Sequence, residues 1–176
     1  MSRWVPFQSD MPVVPVRDMV IHPRENDLVV GTHGRGAFVT DITPLQQLDS
    51  EVLAQDYHLF APEPKGRRVE SGWGNYPLFG WRHVVTPNEP NGILLDVYQR
   101  RVGSAPIRLR VQDGGGNEVW AHEEPGAPGL HRIVFPLQAR RGRPVEHGEY
   151  TVTLEAGNVS QTRTLVVKPP VVLPRR

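Results

Sequence analysis

The chain has 176 residues, 20 Lys and Arg against 19 Asp and Glu, and a formal net charge of +1. That is the size of one ordinary domain, or of one small domain with a piece of another, and its near-neutral charge gives no electrostatic case for nucleic acid or an anionic membrane surface. The lack of cysteine excludes a disulfide framework and a thiolate site, and no apolar run reaches the roughly 18 residues of a membrane-spanning helix. With 17 Gly and 18 Pro, the chain is punctuated as many short strands and turns require.

Residues 1–45 read as three strands. "RDMVIHP" comes first and Pro23 ends it. "NDLVVGT" follows and is apolar on both faces, as an inner, doubly covered strand would be. "GAFVTDI" comes after the glycine-rich turn "GTHGRG" at 31–36. Three strands in so short a segment cannot bury a core alone. The segment is therefore expected to pack on the rest of the chain, on another chain, or on an absent part of a larger protein.

Residues 46–90 show the least regularity. "PLQQLDSEVLAQDYHLF" accommodates one short helical turn, and the Pro-, Gly- and aromatic-rich remainder reads as an ordered connector. It is too apolar for a disordered linker, since Trp73, Tyr76, Phe79 and Trp81 all need cover. These aromatics read as packing residues; a sugar-stacking platform at Trp73 and Trp81 is the sharper alternative.

Residues 91–170 alternate with period 2. "NGILLDVYQ" puts Ile93, Leu95 and Val97 on one face, and "APIRLRVQD" puts Ile107, Leu109 and Val111 in with Arg108, Arg110 and Gln112 out. "GGGN" makes a hairpin turn into "EVWAHEE". "LHRIVFPL" follows with Ile133, Phe135 and Leu137 on one face. "GEYTVTLEA" then directs Tyr150, Val152, Leu154 and Ala156 inward, and "GN" turns the chain into "VSQTRTLVVKP". Six such strands predict an antiparallel β-sandwich. Between them Arg140, Arg141 and Arg143 read as a solvated loop, with an anion contact as the alternative. Residues 171–176, "VVLPRR", read as a Pro-interrupted tail.

Catalytic and cofactor motifs are scarce. Gly31, Gly34 and Gly36 do not have the G-x-G-x-x-G spacing, and a strand rather than a helix follows, so the loop is not a dinucleotide or phosphate cradle. The seven histidines are scattered and none shows the spacing of a helical metal pair, so no metal and no cofactor is expected. Asp10, Asp18, Asp27 and Asp41 share the first segment, which leaves a carboxylate pair open in principle. Turn roles for Asp27 and Asp41 are the plainer reading.

Residues 17–45, "RDMVIHPRENDLVVGTHGRGAFVTDITPL", resemble the closing repeat of sortilin-like β-propellers, bacterial proteins described as BNR-repeat or glycosyl-hydrolase-like. "WGNYP" and "TPNEPNGILLDVY" resemble the connector after such a propeller. "PIRLRVQDGGGNEVW", "PGLHRIVFPL" and "HGEYTVTLEAG" resemble an Ig-like module related to that of flagellar hook-capping proteins. Two departures stand out. Phe135-Pro136 replaces that module's usual aromatic-Asp pair, and the propeller's Asp-box is missing after the second strand.

The resemblance implies an all-β chain: a propeller-blade-like three-stranded segment at 1–45, a connector at 46–90, and an Ig-like sandwich at 91–170. One blade does not close a propeller, so it implies the C-terminal part of a larger protein, non-catalytic in itself, with the rest of the propeller or another chain as partner. It implies protein or glycan recognition with His33 and Arg35 as ligand contacts and Gly31, Gly34 and Gly36 as the turn; a purely structural cell-surface domain is a further reading. The rival is a piece of a secreted glycoside hydrolase whose catalytic residues lie elsewhere. The N-terminal stretch has no apolar h-region and does not read as a signal peptide, so export to the periplasm, cell surface or medium is expected to depend on an upstream signal.

Overall fold

A computed structural model describes residues 11–69, 90–101, 105–139 and 142–172. The described residues are all-β apart from two short helices. The described residues fall into two compact units, one of residues 11–47 and one of residues 48–69 with those from 90 onward.

The first unit is a three-stranded antiparallel meander: β1 (Val16–Ile21), β2 (Asp27–Thr32) and β3 (Ala37–Asp41), with β2 in the centre. Asn26 takes a left-handed φ of 56° in the first turn, which asparagine tolerates better than most residues. Because side chains alternate across a strand, the register sorts the residues into rows. Met19, Val30 and Phe38 form a row on one face, and Val20, Val29 and Val39 form a row on the other. Val30 is buried, whereas Met19, Val20 and Val39 are 63%, 58% and 61% exposed. The expected double cover over β2 is thus partial among the described residues: the apolar rows are present on both faces, and their outer members face solvent. Helix α1 (Thr43–Gln46) follows, with Pro44 in its first turn, and Asp41 Oδ1 accepts a hydrogen bond from the Thr43 amide at 2.8 Å.

The second unit begins with α2 (Ser50–Ala54), capped by Asp49, whose Oδ1 accepts from the Val52 amide at 2.8 Å. Strands β4 (Tyr57–Leu59), β5 (Lys65–Val69), β6 (Ile93–Gln99), β7 (Ile107–Gln112), β8 (Glu118–Glu124), β9 (Gly129–Phe135), β10 (Gly148–Ala156) and β11 (Val159–Val172) form two sheets. The larger has the order β5-β11-β10-β7-β8 and the smaller β4-β6-β9. All pairings are antiparallel except β5 with β11. The inward rows meet in one core: Leu95, Val97, Leu109, Val111, Phe135 and Leu154 are each 0% exposed.

The inward rows read for β6, β7, β9 and β10 match this burial, with Tyr150 half-buried, whereas β8 has no fully buried residue. Two differences have physical causes. The stretch read as connector contains β4 and β5, which widen the sandwich from six strands to eight. Three residues are too few to display a period, and Lys-Gly-Arg-Arg-Val carries no apolar alternation; a distant partner, β11, places β5. The tail from 171 also begins as strand, since β11 runs to Val172.

Two carboxamides close edges that backbone pairing leaves open. Gln161 on β11 reaches across to β4: its Oε1 accepts from the Leu59 amide at 2.8 Å and its Nε2 donates to the Tyr57 carbonyl at 2.9 Å. Asn91, just before β6, treats β5 in the same way. Its Oδ1 accepts from the Arg68 amide at 2.8 Å and its Nδ2 donates to the Arg68 carbonyl at 2.7 Å. Each side chain mimics a peptide group, so each edge gains a donor and an acceptor from the opposite sheet.

Candidate functional site

The β2–β3 turn carries the residues singled out from sequence. Thr32 closes it twice onto the Gly36 carbonyl, through its amide at 3.0 Å and its hydroxyl at 2.7 Å. Gly34 and Gly36 have φ of 79° and 73°, a left-handed backbone that residues with a Cβ adopt at a cost. A Cβ at either position would meet nothing within 4 Å, so backbone conformation and not space demands glycine there. Gly31 lies within β2, paired with Asp18 and Ala37, and belongs to the ladder that leads into the turn.

His33 is exposed and its amide donates to the Pro15 carbonyl at 3.0 Å, which ties the turn to the chain before β1. Arg17 of β1 lies close enough for its Nη2 to donate to His33 Nδ1, at 3.4 Å. Arg35 is half-buried in the same turn. Arg17, sixteen residues upstream of His33, was not singled out from sequence; only strand pairing brings it here. The rim therefore combines two guanidinium groups with an imidazole. Such donors suit a carboxylate or a hydroxyl-rich ligand.

Of the carboxylates read from sequence, Asp10 lies outside the described residues. Asp27 and Asp41 face one another in the β2–β3 register, but Asp41 is engaged with Thr43. Asp18 Oδ1 accepts from the Met19 amide at 2.9 Å on the edge strand. Trp73 and Trp81 lie outside the described residues, as do Arg140 and Arg141; Arg143 is exposed.

A second polar cluster, unremarked in the sequence, joins β8 to β9. Glu124 meets His131 Nδ1 through Oε1 at 2.8 Å and His122 Nε2 through Oε2 at 3.2 Å. His131 Nε2 faces the Ala127 carbonyl at 2.5 Å. His122 stacks on Trp120, 5.8 Å between centroids and 5° between planes, and Trp120 packs on the core residue Phe135. The cluster seals a sandwich corner where β8 and β9 border different sheets. Near the other corner, His58 Nδ1 donates to Gln55 Oε1, at 3.0 Å. Burial, then the charge of Arg163, lowers its pKa from the ordinary value. Among the described residues no group of three His, Asp or Glu is arranged to hold a metal ion.

No family model matches the chain, and no curated protein matches it. Among solved structures it is similar to PorZ, an essential bacterial surface component of the type-IX secretion system of Porphyromonas gingivalis, with 13% identity and a TM-score of 0.38. The match covers 88% of this chain and 23% of that one, so the chain spans under a quarter of the length of PorZ.

Proposed function

We propose that this chain is a non-catalytic part of a larger exported propeller protein of the sortilin-like, BNR-repeat kind. The β1–β3 sheet is one blade's worth of strands, lying between neighbouring β layers from the rest of that protein or from another chain. The sandwich is its Ig-like accessory domain. The basic turn at Arg17, His33 and Arg35 faces a protein or glycan ligand.

One observation carries this reading: the β1–β3 sheet bears an apolar row on each face, with Met19, Val20 and Val39 open to solvent. A sheet covered on one side alternates apolar with polar; a sheet apolar on both sides belongs in the middle of a stack. The test compares Met19 oxidation by mild peroxide in the purified chain and in extracts of its native source. The thioether is expected to react freely in the first and to be protected in the second; equal reactivity would sink the stacked-sheet reading. On a glycan array, a chain with Arg17→Ala and Arg35→Ala is expected to lose binding at least tenfold relative to the unaltered chain, about the loss of one charge-assisted contact. Retained binding removes the turn from the ligand site.

A further inference from the structure

We propose that Asn91 is a deamidation site that the fold holds closed, and that its conversion to a carboxylate releases β5 from the sandwich. Asn91-Gly92 is the chain's one Asn-Gly pair. Glycine on the C-terminal side leaves the following backbone nitrogen unshielded by a Cβ. That nitrogen attacks the asparagine Cγ, the bond from Cγ to the side-chain nitrogen breaks, and ammonia departs with the displaced proton. Water then opens the cyclic imide at either carbonyl, giving aspartate or isoaspartate. Overall, one amide and one water become one acid and one ammonia, with no oxidant, reductant or enzyme.

The native arrangement opposes the first step at three points. The Gly92 N–H, on the attacking nitrogen, donates to the Pro90 carbonyl at 2.9 Å. The Asn91 carboxamide is held at both ends by the Arg68 backbone, at 2.8 and 2.7 Å. Gly92 is buried, and a Cβ there would fall 2.4 Å from the Phe135 carbonyl oxygen, so the Gly92 backbone is packed closely against β9. Reaction therefore requires local opening.

Once it occurs, the opening becomes permanent. An oxygen replaces the Nδ2 donor and confronts the Arg68 carbonyl, acceptor against acceptor, with a negative charge in a half-buried site. Isoaspartate also lengthens the backbone at the entrance to β6. Among the described residues strand β5 has β11 as its one ladder neighbour, so conversion removes the two backbone contacts that Asn91 makes on its other side. When β5 detaches, it uncovers the edge of β11, a 14-residue strand able to take on another strand.

The full chain is incubated at mildly alkaline pH, both native and in urea, then digested and resolved by mass spectrometry into Asn, Asp and isoaspartate forms of the Asn91 peptide. Hydrogen exchange is read on the aged chain and on Asn91→Asp. Conversion is expected to be at least about tenfold slower in the native chain than in urea. The converted chain is expected to exchange its β5 amides faster while β6 and β7 keep their protection. Equal rates with and without urea overturn the protection; an unchanged Arg68 amide after conversion overturns the release. If Asn91→Asp does not fold, the aged chain, which converts after folding, gives the same reading.

Discussion

In the sandwich, Leu95, Val97, Leu109 and Val111 are 0% exposed; in the three-stranded sheet, Met19, Val20 and Val39 are 63%, 58% and 61% exposed. Both regions are built from the same aliphatic residue types in the same extended backbone. The sandwich brings two sheets face to face and shuts water out between them, and each fully buried side chain then contributes about 1.5–3 kcal/mol. In the meander the apolar row of Val20 and Val39 lies mostly open to solvent. Its strands are positioned by ladder hydrogen bonds and tight turns, and its apolar side chains are left available. The same residue types are thus buried in one unit and exposed in the other.

The sharpest way to break this contrast is a matched pair of truncations. Leu109→Ala leaves a cavity in the middle of the core and is expected to cost about 3 kcal/mol. Val39→Ala, on an exposed row, is expected to change stability by no more than about 0.5 kcal/mol. Urea denaturation of both variants decides it; comparable losses would mean that the meander has a core of its own.

Next in size is Gly92→Ala. The new methyl would press on the Phe135 carbonyl and on Val134 Cγ1 at 2.8 Å, forcing β6 and β9 apart at a cost of about 1–3 kcal/mol. Gly34→Ala, in the meander's turn, meets no neighbour and perturbs only backbone conformation, so its penalty is expected to be about 1 kcal/mol. Thermal melts of the two variants rank them; the reverse order contradicts the close approach of β6 to β9.

The smallest effect is a pH dependence. His58 is held below its ordinary pKa of 6.5 first by burial and then by Arg163, with Asp49 and Glu51 opposing. The unfolded chain therefore takes up a proton at higher pH than the folded chain does. The contribution of His58 to stability is full above that ordinary value and is lost as pH falls below it. Urea midpoints followed from neutral to mildly acidic pH should fall less steeply for His58→Gln than for the unaltered chain. Parallel curves would remove His58 from the pH response.

What the sequence made legible followed period and turn chemistry. β6, β7, β9 and β10 announce their buried faces because a strand with one wet side alternates, and "GGGN" and "GN" mark the hairpins. The meander's strands were readable from Pro23 and the glycine turn. The parts that stayed hidden depend on partners far along the chain. β5 is defined by β11, the Arg17–His33 contact by the β1–β2 pairing, and the Gln161 clamp by a strand about a hundred residues away. Nothing local in Lys-Gly-Arg-Arg-Val or in one glutamine carries such information. The histidines looked scattered because His122 and His131 stand on different strands, and the turn between β8 and β9 brings both to Glu124.

The β5–β11 pair, the one parallel pair among the described residues, gives the sandwich a mechanical direction. Lys65 stands beside Val167 and Val69 beside Val172, so tension entering at the start of β5 and leaving at the end of β11 runs along both strands in opposite senses. Under such a load the hydrogen bonds between them are sheared together and share the force, whereas a hairpin pulled from its open ends gives way one bond at a time. A domain loaded through this pair resists extension as a fastening does, without any gain in its resistance to heat or denaturant.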